Sequence, residues 1–150
     1  MRRILKIAVL FLALLISLGY VMYARNTAPV VLPVPADALN SGKPYVVKLH
    51  AQWCVVCMTT KDEWAEIEKN YANRVNLVVF DFTTDANTAA SRAEAERLGL
   101  EKFFEEYSGA TGSVVVLDGR TKLVAARILG NRDFSEYRSA IDAALAAAAR

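Results

Sequence analysis

Cysteine and histidine are nearly absent from this chain: Cys54, Cys57 and His50 are all it has in 150 residues. A structural zinc site takes about four protein ligands, so one cysteine pair and one histidine do not supply it, and neither a metal nor a cofactor is expected. A disulfide that staples distant segments is also excluded, because the loop between these cysteines is tiny and that kind of stabilisation grows with the loop closed. Proline is confined to Pro29, Pro33, Pro35 and Pro44. No internal repeat is present. Basic residues beyond position 25 are scattered among acids, which excludes the continuous basic stripe of a nucleic-acid binder.

What the chain does have is Trp53-Cys54-Val55-Val56-Cys57. Two thiols separated by two residues can close into a small-ring disulfide and reopen with little backbone movement, which suits them to passing electron pairs. The pair follows the apolar run Tyr45–Ala51 and opens a helix-like stretch predicted from Val55 to Tyr71. A cysteine at a helix N-terminus meets exposed N–H groups and the positive end of the helix dipole, so its thiolate is favoured, and the thiolate is the nucleophile of disulfide exchange. Two inert buried cysteines are the alternative reading.

The first 25 residues form a separate object. Arg2, Arg3 and Lys6 precede the uncharged run Ile7–Ala24, and Arg25 closes it. Such a run spans about 27 Å as a helix, near the ~30 Å thickness of a bilayer's hydrocarbon core. Tyr20 and Tyr23 lie near one end, as interfacial aromatics do. The expectation is a single-pass anchor over residues 1–25 with a cytoplasmic N-terminus, so that the rest of the chain is extracytoplasmic, in a periplasm-like compartment. A cleaved signal peptide is the alternative, but Met22-Tyr23-Ala24 is a poor small-x-small site and a cut after Ala28 meets Pro29. The anchor also takes four basic residues, leaving 14 against 16 acidic ones in residues 26–150.

Residues 26–44 carry all four prolines and Asn40-Ser41-Gly42 and are expected to form a stiff spacer, in which Val30-Val31-Leu32 is a candidate edge strand. Residues 45–150 suffice for one domain. Tyr45–Ala51 and Val75–Phe82 are predicted as buried parallel strands, joined by a helix with Val56, Thr60, Trp64, Ile67 and Tyr71 on one face. Ser113–Leu117 and Lys122–Leu129 flank Asp118-Gly119, a dipeptide suited to a tight antiparallel turn. A last helix beginning near Asp133 aligns Phe134, Tyr137, Ile141 and Leu145. Between the halves, Thr88–Leu98 and Leu100–Tyr107 read as helices separated by Gly99.

A βαβ unit followed by ββα, with Trp-Cys-x-x-Cys opening the first helix, resembles the thioredoxin-fold proteins over about residues 43–148. His50-Ala51-Gln52-Trp53-Cys54-Val55-Val56-Cys57 is most similar to membrane-tethered, extracytoplasmic thioredoxin-like reductases. The resemblance implies an α/β fold with a central mixed sheet flanked by helices, here behind an N-terminal transmembrane helix. It implies Cys54 as nucleophile, Cys57 as resolving thiol, and Trp53 as part of the substrate surface. It further implies protein disulfides as substrates and an integral-membrane thiol donor that brings electrons across the bilayer. An oxidase or isomerase, or an adaptor with a vestigial dithiol, are the alternatives.

Three departures from the family stand out. The family's cis-proline before the third strand falls on Gly112, next to Ser113, so the loop is expected to be mobile and to retune substrate choice. The buried acid six residues before the first cysteine is replaced by Lys48, whose ammonium either favours the thiolates or reaches solvent. His50, on the same strand, is either a proton shuttle or a packed histidine. Asp81 and Asp85 are candidates for the missing acid, with solvation at a strand end as the simpler account. The third departure is the enlarged connection 83–112, whose Phe103, Phe104 and Tyr107 are either core or a docking surface beside the dithiol, with Glu101, Glu105 and Glu106 as a solvated face.

Overall fold

The first strand sends alternate side chains into two different cores. In β1 (Tyr45–His50), Tyr45, Val47 and Leu49 enter one layer, while Val46 and Lys48 meet the other, where Lys48 lies over the Trp64 ring. That is the two-residue period of a strand covered on both faces. The computed structural model describes residues 2–26, 34, 36 and 41–150, with the side chains of the first helix described over 9–21. Its elements run α1 (Arg2–Asn26), β1, α2 (Val55–Thr59), α3 (Lys61–Tyr71), β2 (Asn76–Asp81), α4 (Asp85–Leu98), α5 (Glu101–Tyr107), β3 (Ser113–Leu117), β4 (Val124–Leu129) and α6 (Phe134–Ala148). The sheet order is β2-β1-β3-β4, with β1 parallel to β2 and antiparallel to β3, and β3 antiparallel to β4. The βαβ and ββα halves thus share one mixed sheet, as expected.

Helices α3 and α6 cover one face, packing Trp64, Ile67, Tyr71, Tyr137 and Ile141 on Val46, Val79, Val114 and Val116. Helices α4 and α5 cover the other, packing Leu98, Phe103 and Phe104 on Tyr45, Val47, Phe80 and Val115. The aromatics of the enlarged connection are therefore core. Phe104 stacks with Phe82 at 5.4 Å and meets Phe80 edge-on at 5.2 Å, and Phe103 stacks with Tyr107 at 4.7 Å. Glu101, Glu105 and Glu106 are exposed.

Three boundaries differ from the sequence reading, each for a local reason. The single helix expected over 55–71 is two, because the Thr59 and Thr60 hydroxyls both donate to Val56 O, at 3.0 and 2.9 Å, and Thr60 leaves helical geometry at φ −114; such back-bonding bends helices. Helix α4 starts at Asp85 rather than Thr88, since the Thr84 hydroxyl caps the Asn87 N–H at 3.1 Å. The β3–β4 connection is not a tight Asp-Gly turn. The Asp118 carboxylate accepts the N–H groups of Arg120 and Thr121, Lys122 turns at φ 61, and β4 begins only at Val124. Gly119 serves a close approach instead, as a Cβ there would lie 2.2 Å from Gly42 O.

Val34 belongs to the α4/α5 core and its carbonyl accepts from Arg97, while Pro44 O accepts the Asn76 N–H at 2.8 Å. The candidate edge strand Val30-Val31-Leu32 lies outside the described residues. In α1 the large apolar side chains from Val9 to Val21 are exposed. Among the described residues no helix is long and apolar enough to cross a membrane, so the expected transmembrane helix does not follow from them; the run Ile7–Ala24 extends beyond the described side chains at both ends.

Candidate active site

The two cysteines are reduced and occupy unequal positions. Cys54 is the N-cap of α2, with extended backbone at φ −82 and ψ 110, so its side chain turns back over the first turn and its Sγ accepts the Cys57 N–H at 3.2 Å. Cys57 sits one turn in, 2% exposed, with its thiol directed at Leu49 O at 3.7 Å. Cys54 is itself mostly covered, at 7% exposure, so the access expected for a nucleophile is narrow.

Electrostatics separates the pair further. Burial pushes the Cys54 thiol up, but hydrogen bonds from the Cys57 thiol and N–H, the Thr111 hydroxyl and the Val56 N–H outweigh it and hold Cys54 below the ordinary thiol value. Burial pushes Cys57 up to about 11, helped by its hydrogen bond to Cys54 and by the charge of Cys54, against hydrogen bonds at Ala51 and Gly112. A thiolate-prone outer sulfur and a proton-holding inner one are what a two-step exchange requires.

Gly112 does face the dithiol. A Cβ there would lie 3.5 Å from Cys54 Sγ and 2.7 Å from Val56 Cγ1. The loop is pinned rather than loose, with Gly112 N–H on Leu49 O at 2.8 Å and Gly130 N–H on Gly112 O at 3.2 Å. Its φ of +86 is closed to proline, whose ring fixes φ near −65° and removes the N–H that Leu49 uses. Gly112→Pro is therefore a folding lesion, not the change of specificity that a mobile loop predicts.

Lys48 lies beneath the pair, its Nζ 5.2 Å from the centre of the Trp64 ring. Burial lowers its pKa, and the charges it faces are Cys57 and Glu68. Its electrostatic partner is thus Cys57 rather than Cys54. His50 is half-buried, and burial and then Lys48 lower its pKa against the pull of Asp81. Its charged neighbours are those two residues, which fits a packed neutral histidine better than a shuttle to the sulfurs. Ser113 is buried with its hydroxyl accepting from the Arg127 guanidinium at 3.2 and 3.3 Å, so it braces β3 instead of meeting substrate. Trp53, Val55 and Met58 are exposed around Cys54.

Asp81 is fully buried, not solvated, while Asp85 is exposed. The Asp81 carboxylate accepts from Thr83 N–H and hydroxyl and from Asn87 Nδ2, and the Thr83 hydroxyl oxygen accepts the Gln52 N–H at 2.9 Å. This chain of bonds ties the end of β2 to the loop that carries Trp53 and Cys54. Thr83 and Thr111 were not singled out by the sequence, where an isolated threonine in a loop carries no signal. Among the described residues no group of three His, Cys, Asp or Glu side chains is arranged to hold a metal ion.

Residues 36–98 match the family profile described as Thioredoxin. Thioredoxin-like protein HCF164, chloroplastic, from Arabidopsis thaliana is 26% identical over 121 residues, which cover 68% of this chain and 45% of that protein. The protein of the same name from Oryza sativa subsp. japonica is 30% identical over 84 residues, 53% of this chain and 30% of the relative. The Thiol:disulfide interchange protein TxlA homolog of Synechocystis sp. is 37% identical over 46 residues, 31% of this chain and 26% of the relative. The chain spans less than half the length of these curated relatives. With its mixed sheet, its dithiol at the first strand-to-helix junction and these matches, the chain is similar to thioredoxin-like thiol:disulfide proteins, the family match itself covering residues 36–98.

Proposed function

We propose that this protein is a thiol:disulfide oxidoreductase that reduces protein disulfides, held to a membrane by residues 1–25 with its thioredoxin-like domain on the extracytoplasmic, periplasm-like face. The observation that carries the chemistry is the inequality of the sulfurs: Cys54 is held below the ordinary thiol value, while Cys57 is shielded and pushed up to about 11. Cys54 thiolate attacks a substrate disulfide, forming a Cys54–substrate bond as the substrate S–S bond breaks, and the departing thiolate takes a proton from water. Cys57 then gives up its proton and attacks Cys54. The Cys54–Cys57 bond forms, the second substrate sulfur leaves with its electron pair, and the dithiol has been oxidised by the two electrons the substrate gained.

The reducing direction follows the resemblance to membrane-tethered thioredoxin-like reductases; the lowered Cys54 pKa stabilises the reduced form and moves the potential upward, whereas Cys57 stays protonated near neutrality and adds nothing to it. An oxidising compartment would re-oxidise such a site, so the reading requires a thiol donor in the membrane to restore it. The anchor rests on the uncharged run Ile7–Ala24 behind three basic residues, and on the exposed apolar side chains from Val9 to Val21. The name of the Synechocystis relative, a thiol:disulfide interchange protein, agrees with the chemistry.

Equilibration of the dithiol against glutathione buffers tests the direction: a potential nearer thioredoxin's, about −270 mV, than the −120 mV of a strong oxidant is expected. Cys57→Ser should accumulate mixed disulfides through Cys54. A dithiol that exchanges with neither glutathione nor insulin would identify an adaptor. Alkaline washing should leave the full-length protein in the membrane, and recovery of a soluble form beginning near Arg25 would remove the anchor.

A further inference from the structure

Beneath the dithiol lies a cavity of about 10 Å³, enough for one water, lined among others by Lys48, Cys57, Glu63, Trp64 and Tyr137. Glu63 Oε2 is buried and has no hydrogen-bond partner among the described residues. Thr60 and Glu63 have the spacing of a capping box. That box is not made: the Thr60 hydroxyl and N–H both go back to Val56 O, and no side chain caps α3. The carboxylate is therefore not used by its own helix.

Resolution of the mixed disulfide requires a proton acceptor at Cys57, and the other groups around the cavity are committed. Tyr137 donates to Asn131 O at 2.8 Å and is pushed up to about 12 by burial and by the charges of Glu63 and Glu136. The Ser113 hydroxyl accepts from Arg127, and the Lys48 amine is held over the Trp64 ring. We infer that Glu63 takes the Cys57 proton during resolution, through the single water that the cavity can hold, so that an acid from α3 does work for which β1 offers only Lys48.

The inference rests on the reductase reading of the dithiol. In the step, the Cys57 S–H proton passes by way of the water to the Glu63 carboxylate while Cys57 sulfur attacks Cys54 Sγ. The Cys54–Cys57 bond forms, the Cys54–substrate bond breaks, and the substrate thiolate carries off the electron pair and takes up a proton. Glu63 then returns its proton to solvent, and a small dithiol such as dithiothreitol re-reduces the pair in the assay. The charged and titratable groups around this path are Lys48 from β1, Cys57 from α2, Glu68 further along α3, and Tyr137 with Glu136 beside it from α6.

The test compares full-length wild type, Glu63→Gln and Glu63→Asp in detergent micelles. Insulin reduction by dithiothreitol is followed together with the rate at which a preformed Cys54 mixed disulfide resolves, from mildly acidic to alkaline pH. Glu63→Gln should slow resolution about a hundredfold or more near neutrality, the low side of what a positioned general base supplies. The deficit should shrink as hydroxide takes over at high pH. Alkylation of Cys54, which reports the first thiolate, should be unchanged, and Glu63→Asp should recover part of the rate with the wild-type pH profile. If wild type does not reduce insulin, the reductase reading fails. If wild type is active and Glu63→Gln resolves at its rate throughout, or if both variants lose rate equally at every pH, the role of Glu63 is refuted.

Discussion

Replacing Gly112 by alanine places one methyl group where the backbone and a neighbour both refuse it. At φ +86 an L-residue is disfavoured by about 1–2 kcal/mol. The new Cβ would also lie 2.7 Å from Val56 Cγ1 and 2.8 Å from Val56 Cβ, and overpacking of that kind costs about 1–3 kcal/mol. Together the two effects should remove about 2–5 kcal/mol, a large part of the 5–15 kcal/mol typical of a domain, and lower a urea midpoint by about 1–3 M. Val56 stands between the two cysteines, so its displacement should also change the rate of Cys54 alkylation. The two contributions can be separated. Val56→Ala removes the nearer colliding atom and leaves φ untouched, so the double variant should be more stable than the sum of the single changes predicts, by about 0.5 kcal/mol or more. A Gly112→Ala protein within about 0.5 kcal/mol of wild type, or strict additivity with Val56→Ala, would refute the reasoning.

Phe104 is 1% exposed and packed on Phe80 and Phe82, so Phe104→Ala should cost about 3–5 kcal/mol. Capture of mixed disulfides per folded molecule should stay normal; selective loss of capture at unchanged stability would restore the docking reading of the aromatics. His50 is held below the ordinary imidazole value of 6.5 by burial, so as the pH falls through that value the unfolded chain takes up a proton that the folded chain does not. Stability present above that value is therefore lost on acidification. His50→Gln should flatten this part of the profile of urea midpoint against pH, and an unaltered slope would show that other groups set it.

The order of strands and helices was legible because burial on both faces of β1 and β2 and the helical stripe of α6 are periodic signals. The placing of Gly112 beside Cys54 followed from aligning Ser113–Leu117 as a strand. Its positive φ did not, since glycine in a sequence marks freedom and not the use made of it. The break at Thr60 depends on two hydroxyls choosing Val56 O over water, a choice that composition does not reveal. Phe103, Phe104 and Tyr107 read the same whether a stripe faces solvent or Phe80, and only the packing of α5 on the sheet decides. The depth of Lys48 was open for a related reason: a long amphipathic side chain at a strand position either emerges or, as here, lies across a ring.

The seating of Gly42 and Lys43 against Gly119 also fixes a direction. At the start of β1 Asn76 donates from its backbone to Pro44 O and from its side chain to Lys43 O, whereas the sulfurs follow the other end of the same strand. Six residues of extended chain put about 20 Å between those two ends. A load applied through the N-terminal side would therefore reach Val34 on the α4/α5 layer and the starting end of β1 before it reached the dithiol. The reactive end of β1 is thus the one far from the contacts at Lys43 and Pro44, so large partners can approach the sulfurs without displacing them.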